Sequence, residues 1–430
     1  MVKKIKNYLN KNSFIKNVLL LVGGTSLGQL IVFLSSPILT RIYSPTDMGI
    51  LGTFTALFTI CVVFGSLRFE MAIPLPKKDN EAAKIVILCM YLLLVVSIAL
   101  SILILFAGDF ILNIFNMGSL QPFIWLLPLS VIGVGLYQIF EWWAVRKKTY
   151  SILSKTKITQ SSSMVITQIV MGIFNFKPTG LLIGSIIGYM GGSNKLATPF
   201  LKEYFHQIKN FKLQDGLSTL RKYSKFSGFS LGSGMLNNTS QQLPVILLGA
   251  FYGIEVAGFF SLTVKVIGMP TILISRSVGK VYLGEISAIK NSSENNLKRL
   301  NKLFINTTLK LGLLGLVPFL LLGLVAPEMF QIFFGTEWST AGYYLRCLSI
   351  MYFLQFIISP VAQTMIIFER TELQFYYDIV RFVLSLGSLL IPYYIGMSVI
   401  TTILIYSITM SIMYLINLFM NYSILKGANK

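Results

Sequence analysis

Four cations lie within apolar stretches long enough to cross a membrane: Lys265, Lys310, Arg346 and Arg381. A cation held at the centre of a bilayer costs about 2.5–3.5 kcal/mol. Four at that cost would rival the whole stability of a typical protein. They cannot all face lipid at mid-depth. Each either snorkels to the interface, pairs with an acid, or faces a hydrated cavity. Lys310 sits close enough to one end of its stretch to snorkel, and Arg346 is near the outer end of its own. Asp378 and Arg381 are three residues apart, which places them on one helix face and lets them pair. Lys265 is the sharpest case, near mid-stretch with no acid three or four residues away.

Surplus cations in a cavity suit an anionic ligand, and paired phosphates are best held by Arg and Lys in a low-dielectric site. Arg41, at the outer end of the first stretch, and Arg68, at the inner end of the second, either join this set or contact lipid headgroups. A polar run, Asn237, Asn238, Thr239, Ser240, Gln241 and Gln242, precedes Pro244 inside another apolar stretch. Six polar residues in a row must put some side chains against water or a neighbouring helix. One reading is hydrogen bonding to sugar hydroxyls by Asn237, Asn238, Gln241 and Gln242, with Gln29 contributing from the first stretch. The other is interhelical packing, where such bonds average about 0.6 kcal/mol.

Three acids are candidates to couple transport to H+ or Na+: Glu70, Glu141 and Asp378. Glu70 and Glu141 lie near the expected cytoplasmic interface and read first as salt-bridge partners. No catalytic constellation emerges. The single histidine, His206, falls in an expected loop, no phosphate-binding loop is present, and no metal set is spaced for ligation. No cofactor is expected beyond a coupling ion.

These residues need a scaffold, and composition says which. Of 430 residues, 54% are hydrophobic and only 12% charged, about half the charged share of a soluble domain. Apolar blocks of roughly 20 residues match a helix crossing the hydrocarbon core. They lack the alternation of a barrel strand. Expected spans lie near 16–39, 48–67, 82–107, 117–140, 151–175, 178–199, 224–249, 256–279, 301–325, 341–367, 373–396 and 398–423. The span at 151–175 is the weakest, since Lys155, Lys157 and a Ser/Thr run occupy its start.

The net charge of +20 is topological. With Lys3, Lys4, Lys6, Lys11 and Lys16 in the cytoplasm, alternate loops carry Arg68 to Lys84, Arg146 to Lys148, Lys195 to Lys225 and Arg276 to Lys302. The tail adds Lys426 and Lys430. The opposite loops hold only Arg41 and Lys177 among bases. That asymmetry follows the positive-inside rule and leaves nucleic acid unneeded as a partner, while anionic membrane lipids are expected ones. Cys61, Cys89 and Cys347 all lie in apolar blocks and read as small buried hydrophobes. The first apolar block reads as a span rather than a cleaved signal peptide.

The fold expected is therefore all-α and polytopic, with about twelve transmembrane helices and both termini cytoplasmic. Residues 1–200 would form an N-terminal six-helix lobe, 201–223 a cytoplasmic amphipathic linker, and 224–430 a C-terminal six-helix lobe. The lobes would enclose a central cavity. A faint internal echo supports the halves: Tyr43, Asp47 and Gly49 after the first span, Tyr252, Glu255 and Gly258 after the seventh. Both repeats enter in one orientation, so their axis would run along the membrane normal. Pro37, Pro128, Pro270, Pro318 and Pro360 are possible bending points.

Particular motifs resemble a known family. Gly24-Thr25-Ser26-Leu27-Gly28-Gln29, then Pro37 through Pro45 with Gly49, then Leu67 through Pro76, resemble the opening of Wzx-like polysaccharide flippases. Gln241 through Gly249 resembles that family's seventh span. Gly258 through Val266 resembles its G-x-Y-S-L-A-x-R-V stretch, with Phe260, Thr263 and Lys265 standing where Tyr, Ala and Arg are usual. Lysine keeps the charge there but not the bidentate fork. The resemblance implies the multidrug/oligosaccharidyl-lipid/polysaccharide exporter fold. It also implies alternating access and an undecaprenyl-diphosphate-linked oligosaccharide repeat unit as substrate, for O-antigen, capsule or exopolysaccharide assembly in a bacterial inner membrane. Polysaccharide polymerase or ligase machinery is the partner class it implies.

Two other readings stay open. An ion-coupled multidrug or small-solute exporter of the same fold would favour a cavity richer in acids. A membrane polymerase or ligase would carry a large outer loop, whereas the expected outer loops here are short.

Overall fold

The computed structural model describes residues 13–290 and 296–427; Lys3, Lys4, Lys6, Lys11 and Lys430 lie outside them. Among the described residues the chain is helical throughout, without strands. The helices are α1 (Ser13–Leu34), α2 (Ser36–Ile42), α3 (Pro45–Gly65), α4 (Asp79–Ile114), α5 (Leu126–Arg146), α6 (Tyr150–Ile173), α7 (Thr179–Met190), α8 (Ser193–Lys209), α9 (Leu213–Tyr252), α10 (Ile254–Lys290), α11 (Asn296–Phe334), α12 (Ser339–Val361), α13 (Gln363–Ile367), α14 (Thr371–Tyr394) and α15 (Val399–Gly427).

Nine segments among these are long and apolar enough to cross a membrane. This is a multi-pass membrane protein. Three further helices overlap the remaining expected spans but fall short of that test. α6 is too polar, α7 is only 12 residues long, and α9 carries Arg221, Lys222, Lys225 and the Asn/Gln run.

Packing divides the chain into two compact units, 1–238 and 239–430. In the first, α6 is the organising element. It packs chiefly against α1 and α7, and glycine makes both seams. On α1, a side chain at Gly24 would meet the Ser154 backbone at 2.7 Å, and one at Gly28 the Lys157 carbonyl at 3.0 Å. On α7, Gly184 and Gly188 lie against Gln168, Met164 and Gln160 of α6 at similarly close range. Small residues four apart let helix backbones approach. Gln168 donates to the Leu181 carbonyl and to Ser185, and Gln160 donates to the Tyr189 carbonyl. The polar face of α6 is thus bonded into its neighbours, while Ile166, Val170 and Ile173 are exposed.

The expected sixth span, 178–199, is two helices. The chain breaks at Gly191 and Gly192, the latter at φ +79° against Thr156, a conformation and a clearance that only glycine combines comfortably. The amphipathic helix α8 therefore begins at Ser193, within that expected span. Its face Leu196, Phe200 and Tyr204 is buried, with Phe200 packed edge-on to Trp143 at 5.0 Å. Burial pushes the Tyr204 hydroxyl up to about 12. The second half of the expected linker is already the start of α9.

In the second unit, α12 is the hub, in contact with α10, α11 and α15. Its closest crossing is at Gly342, where a side chain would meet the Pro327 backbone at 2.4 Å.

The internal echo has a structural counterpart in each unit. The Tyr43 hydroxyl donates to the Gln168 carbonyl at 2.7 Å. The Tyr252 hydroxyl donates to the Met397 carbonyl at 3.2 Å and shares a bond with Thr402 at 2.7 Å. Each tyrosine ends one helix and ties it to a late helix or turn of its own unit. The acids after them serve the next helix start. Asp47 forms a capping box with Ser44, and Glu255 lies in the first turn of α10, where the helix dipole favours a negative charge.

Candidate functional site

In the first unit, one ion pair crosses from the apolar α5 to the more polar α6. The Lys157 ammonium lies 3.0 and 3.2 Å from the two carboxylate oxygens of Glu141. It also sits 4.5 Å from the centre of the Tyr137 ring, whose hydroxyl shares a 3.0 Å bond with Thr156. Both charged side chains are less than a third exposed. The glycine seam described above holds α6 at this point, since Gly28 brings α1 onto the Lys157 backbone. Lys157 was not among the four intramembrane cations read from sequence, because it lies near the polar start of its span. The signal that pointed to it was the hydropathy defect itself.

Arg68 and Glu70 occupy the turn after α3. Leu67 and Arg68 both adopt positive φ, +50° and +64°. The Glu70 carboxylate is buried and accepts from the Ser66 hydroxyl. The Arg68 guanidinium lies over Gly234 of α9, where a side chain would come within 2.8 Å of Nη2. Its Nε is buried without a protein partner. The rest of the Leu67–Pro76 motif is fastened by Arg146, which donates to the carbonyls of Ile73, Pro74 and Pro76 and pairs with Asp79 at 2.8 Å. Lys147 adds a 2.6 Å bond to the same carboxylate. Arg41 ends α2 and is exposed. Gln29 is half-buried on α1, its Oε1 without a protein partner.

The second unit distributes its charges differently. Asp378 and Arg381 pair along α14 at 3.4 Å, as their spacing implies. Asp378 also accepts from Gln374 at 3.1 Å. The guanidinium sits 5.9 Å from the Tyr377 ring centre. Lys265 is half-buried on α10, and among the described residues it forms no ion pair. One turn before it, the Ser261 hydroxyl is buried without a protein partner.

Arg346 has a different employment. Its Nε and Nη2 donate to the carbonyls of Gly323 and Leu324 at 3.0 and 2.8 Å. Gly323 is four residues before Pro327, which has no N–H to give it. Arg346 satisfies the carbonyl that proline leaves open, and stacks 5.5 Å from Tyr343. Lys310 is exposed on α11.

The polar run falls across the limit of the two compact units, which lies between Asn238 and Thr239 inside α9. Asn237 and Gln241 are exposed, Asn238 and Gln242 half-buried, and the Thr239 hydroxyl buried without a protein partner.

A family model described as polysaccharide biosynthesis protein matches residues 38–343. The teichuronic acid biosynthesis protein TuaB of Bacillus subtilis (strain 168) is similar at 22% identity over 321 residues, which is 74% of this chain and 64% of that relative. The chain thus spans less than two thirds of TuaB's length. Among solved structures, the lipid II flippase MurJ in an inward closed conformation superposes with a TM-score of 0.67 at 14% identity, covering 95% of this chain and 87% of MurJ. An inward-facing multidrug resistance MATE family transporter of the MOP superfamily follows at 0.56 and 13% identity, covering 95% and 94%. At these identities the two structures are evidence of a common fold.

Proposed function

The chain belongs to the polysaccharide biosynthesis protein family, and from that premise we propose that it is a flippase for lipid-linked saccharides. It sits in the bacterial inner membrane as a multi-pass protein. Its substrate is an undecaprenyl-diphosphate-linked oligosaccharide repeat unit, carried from the cytoplasmic to the outer leaflet by alternating access. Twelve crossings in two six-helix lobes, with both termini in the cytoplasm, are the topology this reading takes. H+ or Na+ supplies the coupling, and polymerase or ligase machinery receives the product.

The observation that carries the reading is the set of partly buried cations within helices at the expected spans: Lys157, Lys265 and Arg381. Two of the three already face a carboxylate, at 3.0 and 3.4 Å. A diphosphate offers the same charge with more acceptor oxygens, so it competes with Glu141 and Asp378 for their partners. Displacing a carboxylate leaves an acid with a raised proton affinity, which is one way to link substrate and H+. Lys265 needs no such exchange. Asn237, Asn238, Gln241, Gln242 and Gln29 are the polar contacts assigned to the sugars, while Arg41 and Arg68 attend the substrate's entry and exit.

The experiment is translocation in a strain deleted for its own flippase, with surface polysaccharide as the readout at matched expression. The parent chain should restore the polysaccharide, Lys265→Ala should lose it, and Lys265→Arg should keep it. An alanine variant as active as the parent removes Lys265 from the site. A parent that fails with every repeat unit tried, yet confers drug efflux, moves the chain to the multidrug exporter reading.

A further inference from the structure

A groove of about 280 Å³ runs between α11 and α15, wholly within the second unit. Ile305 and Leu309 line one wall, Leu415 and Phe419 the other, and Tyr422 closes one end. All four wall residues are exposed, so on a membrane helix they face lipid. The Thr308 hydroxyl on the groove is already committed to the Phe304 carbonyl at 2.9 Å, and the other lining residues besides Tyr422 are hydrocarbon. The lining is therefore apolar in effect.

Cations gather at the end where α11 begins and α15 finishes. Lys298 and Lys302 precede Ile305 and Leu309 by seven residues each, and so lie on the same helix face. Lys426 follows Tyr422 by four, and its ammonium lies 4.8 Å from that ring's centre. All three lysines are exposed. α15 has no acidic residue, and the one acid of α11, Glu328, is near the other end. Asn301 is on the groove face too. Its Oδ1 is turned inward without a protein partner, so rotating the amide outward to a headgroup hydroxyl forfeits no bond at that atom.

We propose that this groove is a resident site for an anionic glycerophospholipid of the phosphatidylglycerol class. One acyl chain lies between α11 and α15, the phosphate meets Lys298, Lys302 and Lys426, and Asn301 accepts from the glycerol headgroup. The site depends on the membrane setting and not on the transport reading. Its dimensions favour a bilayer lipid over the lipid-linked saccharide. The apolar wall from Leu415 to Tyr422 is about 10 Å long, which suits part of one acyl chain rather than a long polyprenyl tail.

The test is native mass spectrometry of the full chain released from phosphatidylcholine bilayers containing a minor fraction of dioleoylphosphatidylglycerol. The parent should retain phosphatidylglycerol in preference to phosphatidylcholine. Retention should fall about fivefold for each of Lys298, Lys302 and Lys426 changed to Ala, the effect of one basic side chain near an anionic lipid. Leu309→Trp, which fills the groove and leaves the lysines in place, should abolish it. The triple change Lys195→Ala, Lys202→Ala and Lys209→Ala removes as much charge elsewhere and should leave it intact. The proposal is overturned by equal retention of the two lipids, by loss in the control variant, or by retention that survives both the lysine changes and Leu309→Trp. Displacement of phosphatidylglycerol by an added lipid-linked diphosphate would reassign the groove to the substrate's tail.

Discussion

The two units solve one problem in different ways. Each must keep a partly buried charge pair within its helices. The first builds its pair between helices: Glu141 on α5 meets Lys157 on α6, and α6 is held by glycine seams on both sides. The second builds its pair along one helix, Asp378 to Arg381, with the Tyr377 ring 5.9 Å from the guanidinium. A pair across helices depends on tertiary packing, whereas a pair three residues apart forms wherever the helix forms. The first unit's charges therefore report helix movement, and the second unit's charges do not.

The largest expected effect follows from that dependence. Gly24→Val would drive a side chain into the Ser154 backbone, which a rotamer change cannot relieve. Overpacking of this kind costs about 1–3 kcal/mol or more, enough to deplete folded protein on size-exclusion chromatography. In the second unit, Gly387→Val meets only the flexible tip of Ile391 at 3.8 Å and should be tolerated. Equal loss in both would refute the glycine-seam account of α6.

Next comes the pair itself. Glu141→Leu leaves Lys157 without its carboxylate in a partly buried site, at an expected cost of about 3 kcal/mol. Adding Lys157→Met should recover most of the melting temperature, because replacing both charges by apolar groups is often neutral. The double variant should still fail in translocation. Asp378→Asn should cost less, about 0.5 kcal/mol, since Gln374 and the Tyr377 ring remain. A double variant that both folds and transports would make the Glu141–Lys157 pair purely structural.

Much of this contrast was legible in the sequence, and the remainder has identifiable causes. Helix positions could be read because about 20 apolar residues satisfy their own backbone only as a helix. The Asp378–Arg381 pair could be read because its partners are local. Glu141–Lys157 could not, since sequence distance carries no information about which helices meet. The break at Gly191–Gly192 was hidden because apolar residues continue on both sides of it. Glycine in a membrane helix is also common enough to be unremarkable. The employment of Arg346 was hidden for a third reason. It depends on a carbonyl made vacant by a proline 19 residues away in sequence and on another helix.

That dependence makes a clean cycle within the second unit. Arg346→Ala should cost about 1–3 kcal/mol, the penalty for a carbonyl left without a donor. In a Pro327→Ala background, residue 327 regains an N–H for Gly323, and Arg346→Ala should then cost markedly less. Thermal melts of the four proteins measure the difference. An unchanged cost would mean that the guanidinium acts elsewhere.

The smallest structural effects test whether the two units share an ancestral plan. Tyr43→Phe removes the bond to the Gln168 carbonyl, and Tyr252→Phe removes those to Met397 and Thr402. Each should cost about 1 kcal/mol and lower the melting temperature by a similar small step. Similar steps would mean that the echoed tyrosines do the same work, tying the end of an early helix to a late one. A neutral Tyr252→Phe beside a costly Tyr43→Phe would mean that only the first unit relies on the tie. The echo would then be a matter of sequence alone, and the units would differ in their anchoring as they already differ in their charge pairs.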